Sequence, residues 1–168
     1  MTPEHRHRIF VGKDVHKFSC AHMTVFPDGT KERIHGHNYQ VEVALELHSI
    51  AFPHMVDFGT VKSAIVAQCD AWTERLLLAE RNPFYRAVRR DQAEFEFTLC
   101  GKRYVIPADE VLLLDVDNIV VETLAAVFAA QLPARLGPHL RLDVVAAIEV
   151  TVSESSRQGA VTRLENSR

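Results

Sequence analysis

The chain has 168 residues, 47% hydrophobic and 24% charged, a composition that excludes disordered, collagen-like and low-complexity polymers. Its formal charge of −3 supplies no basic field for nucleic acid, and no run of about 18 apolar residues suggests a membrane span. Three cysteines without C-x-x-C spacing, and a basic N-terminus with no apolar segment after it, predict reduced thiols, no secretory leader and a cytoplasmic protein.

A domain of this length buries enough surface to fold without disulfides or a structural metal, so any metal is expected to serve chemistry. Arg8 to His22 reads as one long strand. Pro27-Asp28-Gly29-Thr30 is a turn signal. The clearest element follows: Tyr39, Val41, Val43, Leu45 and Leu47 alternate with Gln40, Glu42, Glu46 and His48, the period of a strand with one packed face. From Phe58, apolar residues at three- and four-residue spacings (Val61, Ile65, Cys69, Trp72) predict a helix continuing toward Asn82-Pro83, with Asp57 as its cap.

Phe95, Phe97 and Leu99, then Arg103 to Pro107, read as a hairpin inserted at about residues 84–116. A second helix is expected from Val121 to Leu132, stopped by Pro133, and a last strand from Leu142 to Ser153. Ala160 to Thr162 adds a short edge. The order predicts one α+β domain over residues 1–168, with no internal repeat and no linker.

The nine histidines are the informative residues. His35-Gly36-His37 opens the Tyr39 strand, and an H-x-H on a strand sends both imidazoles to one face. His22 ends the first strand, where a hairpin would bring it close. Three neutral imidazoles form a catalytic zinc set with one position open. Glu32 lies in the loop leading to the pair, where a carboxylate can act as a general base. Gly36 leaves room for substrate or for a neighbouring backbone. His16, His48, His54 and His139 have no partner that the sequence identifies and are expected to be structural or exposed.

Phe18-Ser19-Cys20-Ala21-His22, His35-Gly36-His37-Asn38-Tyr39 and Met55-Val56-Asp57-Phe58 through Lys62, in that order, resemble the 6-pyruvoyltetrahydropterin synthase/6-carboxytetrahydropterin synthase family. The likeness continues through Asn118, Glu122-Thr123-Leu124-Ala125 and Val152-Ser153-Glu154, and lapses over about residues 84–116. It implies the tunnelling fold: an antiparallel sheet with two helices on one face, completed into a barrel by oligomerisation as a homohexamer of two trimers. It also implies Zn2+ on His22, His35 and His37, and a dihydropterin substrate anchored by Glu154. A carboxylate suits the 2-amino-4-oxo edge of a pterin, accepting two N–H bonds. The family substrate is 7,8-dihydroneopterin triphosphate.

Departures sharpen the expectation. The family's cysteine, four residues before the H-G-H, is Lys31 here. Its Asp-His pair is replaced by Thr73-Glu74, and its threonines before the second helix by Ile119 and Val120. One subset of the family carries E-x-x-H-G-H, the spacing of Glu32 to His37, and resembles carbon–carbon lyases releasing 6-hydroxymethyl-7,8-dihydropterin.

The resemblance therefore implies Glu32 as catalytic base, with Glu74 the next acid/base candidate. The products it allows are the 6-hydroxymethyl, 6-carboxy or 6-pyruvoyl pterin. The plainer alternatives are a helix ion pair for Glu74, an ion pair with Arg157 or Arg163 for Glu154, and a solvated charge beside Arg33 for Glu32. The competing function is a repurposed, non-catalytic zinc- and pterin-binding homologue. A cupin reading through Gly29, His35, His37 and Glu42 fails at Ser49, where a glycine is needed, and on the two helices. Arg6, Arg8, Lys13 and Lys17 could meet a triphosphate or form an exposed charged strand face.

Overall fold

The computed structural model describes residues 7–137 and 143–166, so Arg6, His139 and Leu142 lie outside the described residues. Strands β1 (His7–His22) and β2 (His35–Leu47) pair antiparallel from His7 opposite Leu47 to His22 opposite His35. An irregularity interrupts the register between Gly12 and Lys17. The alternation read from the sequence sorts the faces: Phe18, Cys20, Tyr39, Val41 and Val43 are buried, while Gln40 and Glu42 are exposed.

Helix α1 (Phe58–Trp72) begins as expected, Asp57 accepting the N–H groups of Gly59 and Thr60. It buries Val61, Ile65, Cys69 and Trp72 against β1. It then ends sooner than predicted. Thr73 closes it, Glu74 turns through the left-handed region at φ 59°, and Arg75-Leu76-Leu77-Leu78 runs as strand β3 (Arg75–Ala79). The unbroken apolar run is the mark of a strand covered on both faces. Leu77 and Ala79 join the main core, and Leu76 and Leu78 join a second apolar cluster.

The insertion is also larger than a hairpin. Strands β4 (Tyr85–Arg90), β5 (Glu94–Leu99) and β6 (Lys102–Pro107) form a separate three-stranded antiparallel sheet. Phe95, Phe97 and Leu99 of β5 face Leu76, Leu78, Met23 and Val25 in the second cluster. Strand β7 (Val111–Leu114), another unbroken apolar run, then returns to the main sheet beside β3.

Helix α2 (Val121–Leu136) passes through Pro133 rather than stopping there. Proline costs one hydrogen bond in the last turn, while Leu132 and Leu136 on either side are fully buried and hold that turn to the core. Strands β8 (Val145–Ser155) and β9 (Gln158–Glu165) complete a six-stranded sheet of order β7-β3-β1-β2-β8-β9. The expected edge at Ala160–Thr162 is therefore the middle of a full strand. The central strands are antiparallel, and β3 and β7 add a parallel wing on β1.

Both helices cover one face. Phe18 stacks on Tyr39 at 5.0 Å and meets Trp72 edge-on at 5.2 Å, and Trp72 meets Phe128 of α2 at 5.6 Å. No helix among the described residues is long and apolar enough to cross a membrane.

One core histidine carries a pH dependence. His16, in the irregular segment of β1, is 0% exposed, and neither ring nitrogen has a hydrogen-bond partner. Burial first, and then Lys13 and Lys62, hold its imidazole below the ordinary histidine range. The unfolded chain thus takes up a proton that the folded protein refuses, and stability falls as pH drops below about 6.5. His16→Met should flatten that slope, measured as the urea midpoint between about pH 7 and 5.

Candidate metal centre and active site

The β1–β2 register assembles the histidines. His22 lies opposite His35, and Cys20 opposite His37, so all four side chains share the helix-facing side of the sheet, past the end of the aromatic column. One ligand atom from each of His22, His35 and His37 lies within 4.8 Å of the others. The ring centroids stand 4.5 to 5.3 Å apart. The sequence-predicted trio is therefore brought together.

Two of the rings are also aimed. Nδ1 of His22 lies 3.0 Å from the Ile119 carbonyl and Nδ1 of His35 lies 2.9 Å from the Arg33 carbonyl. Each of these Nδ1–H groups donates to a carbonyl and leaves Nε2 as the lone-pair nitrogen, the arrangement that orients a metal-binding imidazole. Burial pushes the His22 ring below its ordinary pKa, partly offset by its bond to Ile119, which favours the neutral, ligating form. Three imidazole nitrogens gathered this closely are a donor set suited to tetrahedral zinc.

Gly36, between His35 and His37, has a backbone reason. A Cβ there would meet the Cys20 carbonyl oxygen at 3.1 Å, so the glycine allows β1 and β2 to close at the site. Burial raises the Cys20 thiol pKa to about 12, which disfavours the nucleophilic thiolate.

Glu32 approaches the trio from the loop before β2. Its Oε2 lies 3.8 Å from His35 Nε2, and the carboxylate is 43% exposed. Its backbone N–H donates to the Thr24 carbonyl at 2.9 Å, which fixes the loop that carries it. Lys31, at the position of the family's cysteine, turns away from the histidines toward Met23 and Tyr104.

Glu154 sits near the end of β8 and is not ion-paired with Arg157 or Arg163. Arg163 pairs with Glu46 and Glu165 instead. Glu154 accepts from the Tyr39 hydroxyl at 3.3 Å and from Gln158 Nε2 at 2.9 Å. The Tyr39 oxygen is 3.5 Å from His22 Nε2, so the phenol that donates to Glu154 stands beside the trio. Burial raises the Tyr39 pKa and keeps it a donor.

Glu74 lies outside the helix, so the predicted helix ion pair does not form. It lines a cavity of about 520 Å³ with Arg75, Glu110, Ile106, Gly36 and His37. That cavity reaches the trio only through His37. A second hollow of about 380 Å³ holds Glu154, and Asn38 lines both.

Sequence reasoning missed Tyr39, Gln158 and the Ile119 carbonyl. Only Tyr39 left a trace, standing two residues after His37 and hence on the same face. Among the cations considered for phosphate, Arg8 is bonded to Glu149. Ile119 and Val120, at the place of the family's threonines, carry no hydroxyl, and at the start of α2 the Thr123 hydroxyl accepts from the Val120 N–H at 3.2 Å.

Comparison with known proteins gives a consistent result. Residues 12–165 match the family described as 6-pyruvoyl tetrahydropterin synthase. A Methanocaldococcus jannaschii protein with the provisional name 6-carboxy-5,6,7,8-tetrahydropterin synthase is 33% identical over 148 residues, 88% of this chain and 89% of its own. The 6-pyruvoyl tetrahydropterin synthase of Plasmodium vivax superposes with a TM-score of 0.86 at 25% identity, over 96% of this chain and 99% of that one. A mutant of the same synthase, in which a glutamate described as a catalytic residue is replaced by alanine, gives 0.87 at 24% identity over the same shares. The Plasmodium falciparum synthase gives 0.86 at 21% identity, over 95% and 98%.

Proposed function

The chain belongs to the 6-pyruvoyl tetrahydropterin synthase family, and from that premise we propose a zinc-dependent lyase that cleaves the side chain of 7,8-dihydroneopterin triphosphate or a related dihydropterin. Glu32 is its general base and 6-hydroxymethyl-7,8-dihydropterin its product. The observation that carries the reading is Glu32 Oε2 at 3.8 Å from His35 Nε2, in a chain whose cysteine position is a lysine directed elsewhere. A glutamate described as catalytic in the P. vivax synthase is a precedent for such a base on this fold.

His22, His35 and His37 would hold the zinc, whose chemistry is to polarise and acidify the substrate hydroxyls. Glu154 binds the pterin edge, with Tyr39 fixing one of its oxygens. Glu32 then takes the proton from the 2′-hydroxyl. The C2′–O bond becomes a carbonyl, the C1′–C2′ bond breaks, and its electron pair passes to C1′ and the conjugated ring. A proton delivered to C1′ completes the hydroxymethyl group, and the remaining side-chain carbons leave as an aldehyde. Glu74, in the cavity that includes His37, is the second acid/base candidate. The Methanocaldococcus name favours one alternative product, the 6-carboxy pterin.

In the same reading the protein is a cytoplasmic hexamer of two trimers. The three cysteines are free, as suits a reducing compartment, and the terminal strands β7 and β9 leave sheet edges for neighbouring copies.

The test is product identification by mass spectrometry after zinc-loaded protein meets 7,8-dihydroneopterin triphosphate, with Glu32→Ala beside it. Hydroxymethyl product from the parent, and a loss of about 10²–10⁴-fold in the variant, is the expected result. A carboxy or pyruvoyl product moves the base to Glu74. Bound zinc and pterin with no turnover favours the non-catalytic homologue.

A further inference from the structure

We infer that Lys31 is a positioning residue for Glu32, braced by Tyr104 of the inserted sheet; this rests on the reading of Glu32 as the base. The Lys31 ammonium has three partners, none of them a histidine. Nζ lies 5.3 Å from the centroid of the Tyr104 ring, 3.2 Å from Met23 Sδ, and donates to the Glu32 carbonyl oxygen at 2.9 Å.

The platform under the ammonium is rigid. Tyr104 stacks on Phe97 at 5.1 Å with the rings 13° from parallel, and Phe97 is fully buried in the second cluster. The main chain of Lys31 bridges to Val25. Val25 is clasped in turn by the Asn118 side chain, which accepts from its N–H at 3.1 Å and donates to its carbonyl at 2.9 Å.

Glu32 is therefore tied through both of its backbone groups, by Thr24 on the N–H and by Lys31 on the carbonyl. Its carboxylate, 43% exposed, has no comparable packing. A base on a loop needs its backbone held where its side chain is not, and a displacement of about 1 Å can cost about 10²-fold in rate. Engaging the ammonium at the carbonyl and the ring also keeps it off the adjacent carboxylate, where it would compete for the proton-accepting oxygens. The inserted sheet thus reaches the proposed base through the Lys31 ammonium.

The experiment compares Lys31→Met, Lys31→Arg, Tyr104→Leu and the Lys31→Met/Tyr104→Leu double variant as full-length, zinc-loaded protein. The readouts are kcat and KM with 7,8-dihydroneopterin triphosphate, zinc per protomer, and amide hydrogen exchange over residues 30–34. Lys31→Met and Tyr104→Leu should each lower kcat about tenfold, leave KM and zinc content unchanged, and speed exchange of the Glu32 amide. The double variant should be no worse than the worse single one, and Lys31→Arg should recover most of the loss. Parent kcat in Lys31→Met, additive losses in the double variant, zinc lost in proportion to activity, or unchanged exchange at Glu32 would each overturn the inference. Full turnover in Glu32→Ala sinks the base reading instead. A dead Glu32→Ala beside a fully active Lys31→Met sinks only the role of Lys31.

Discussion

His22→Ala should yield a folded protein that neither retains stoichiometric zinc nor turns over substrate. His22 is 3% exposed and supplies the most buried nitrogen of the trio, aimed by the Ile119 carbonyl. Removing it leaves His35 and His37, two half-exposed imidazoles on one strand, as the only ligands. A ligand bound at about a thousandfold above its dissociation constant adds about 4 kcal/mol to the folded state. In a chain of this size that is about 10 °C in Tm. Calorimetry with and without zinc should show a gain of that order in the parent and none in His22→Ala. A parent whose Tm ignores zinc would remove the metal centre from the proposal.

Glu154→Gln should cut kcat/KM by about 100-fold while zinc content stays at the parent level. The parent carboxylate accepts from Tyr39 and Gln158 and keeps further lone pairs for a ligand's N–H groups. An amide offers one oxygen, and its NH2 would face the donors of a pterin edge. Losing a charge-assisted pair of this kind costs about 2–5 kcal/mol, consistent with the stated fall at 1.4 kcal/mol per decade. The loss should sit in KM, because the proposed role of Glu154 is to bind the pterin edge. An unchanged KM would show that the pterin is held elsewhere.

Strand β2 and the histidine trio were legible because that strand's periodicity is strict. Tyr39 to Leu47 alternates without exception on its buried side, and that parity, continued back to His37 and His35, places both rings on one face. The wing formed by β3 and β7 was not legible as such. Leu76-Leu77-Leu78 and Val111 to Leu114 are apolar at every position, and a run with no polar phase cannot distinguish a helix from a strand covered on both sides. The left-handed turn at Glu74 that separates α1 from β3 falls on a residue type that does not advertise it.

The site follows the same division. Ligands that repeat along a strand leave a pattern in the sequence. The Ile119 carbonyl, the Asn118 clasp and the Tyr104 platform come from distant segments through backbone groups and packing, and those leave none.

Strand β3 also ties the fate of the insertion to that of the main sheet. Leu77 is locked into one core while Leu76 and Leu78 are locked into the other, so the three-stranded sheet cannot peel away without baring the main sheet's own strand. The two clusters are consequently expected to melt as one cooperative unit. Trimming residues 84–107 to a short loop would then strip the outer face of β3 instead of restoring a minimal enzyme. The outer three-stranded sheet is thus expected to be a condition for the main sheet to fold.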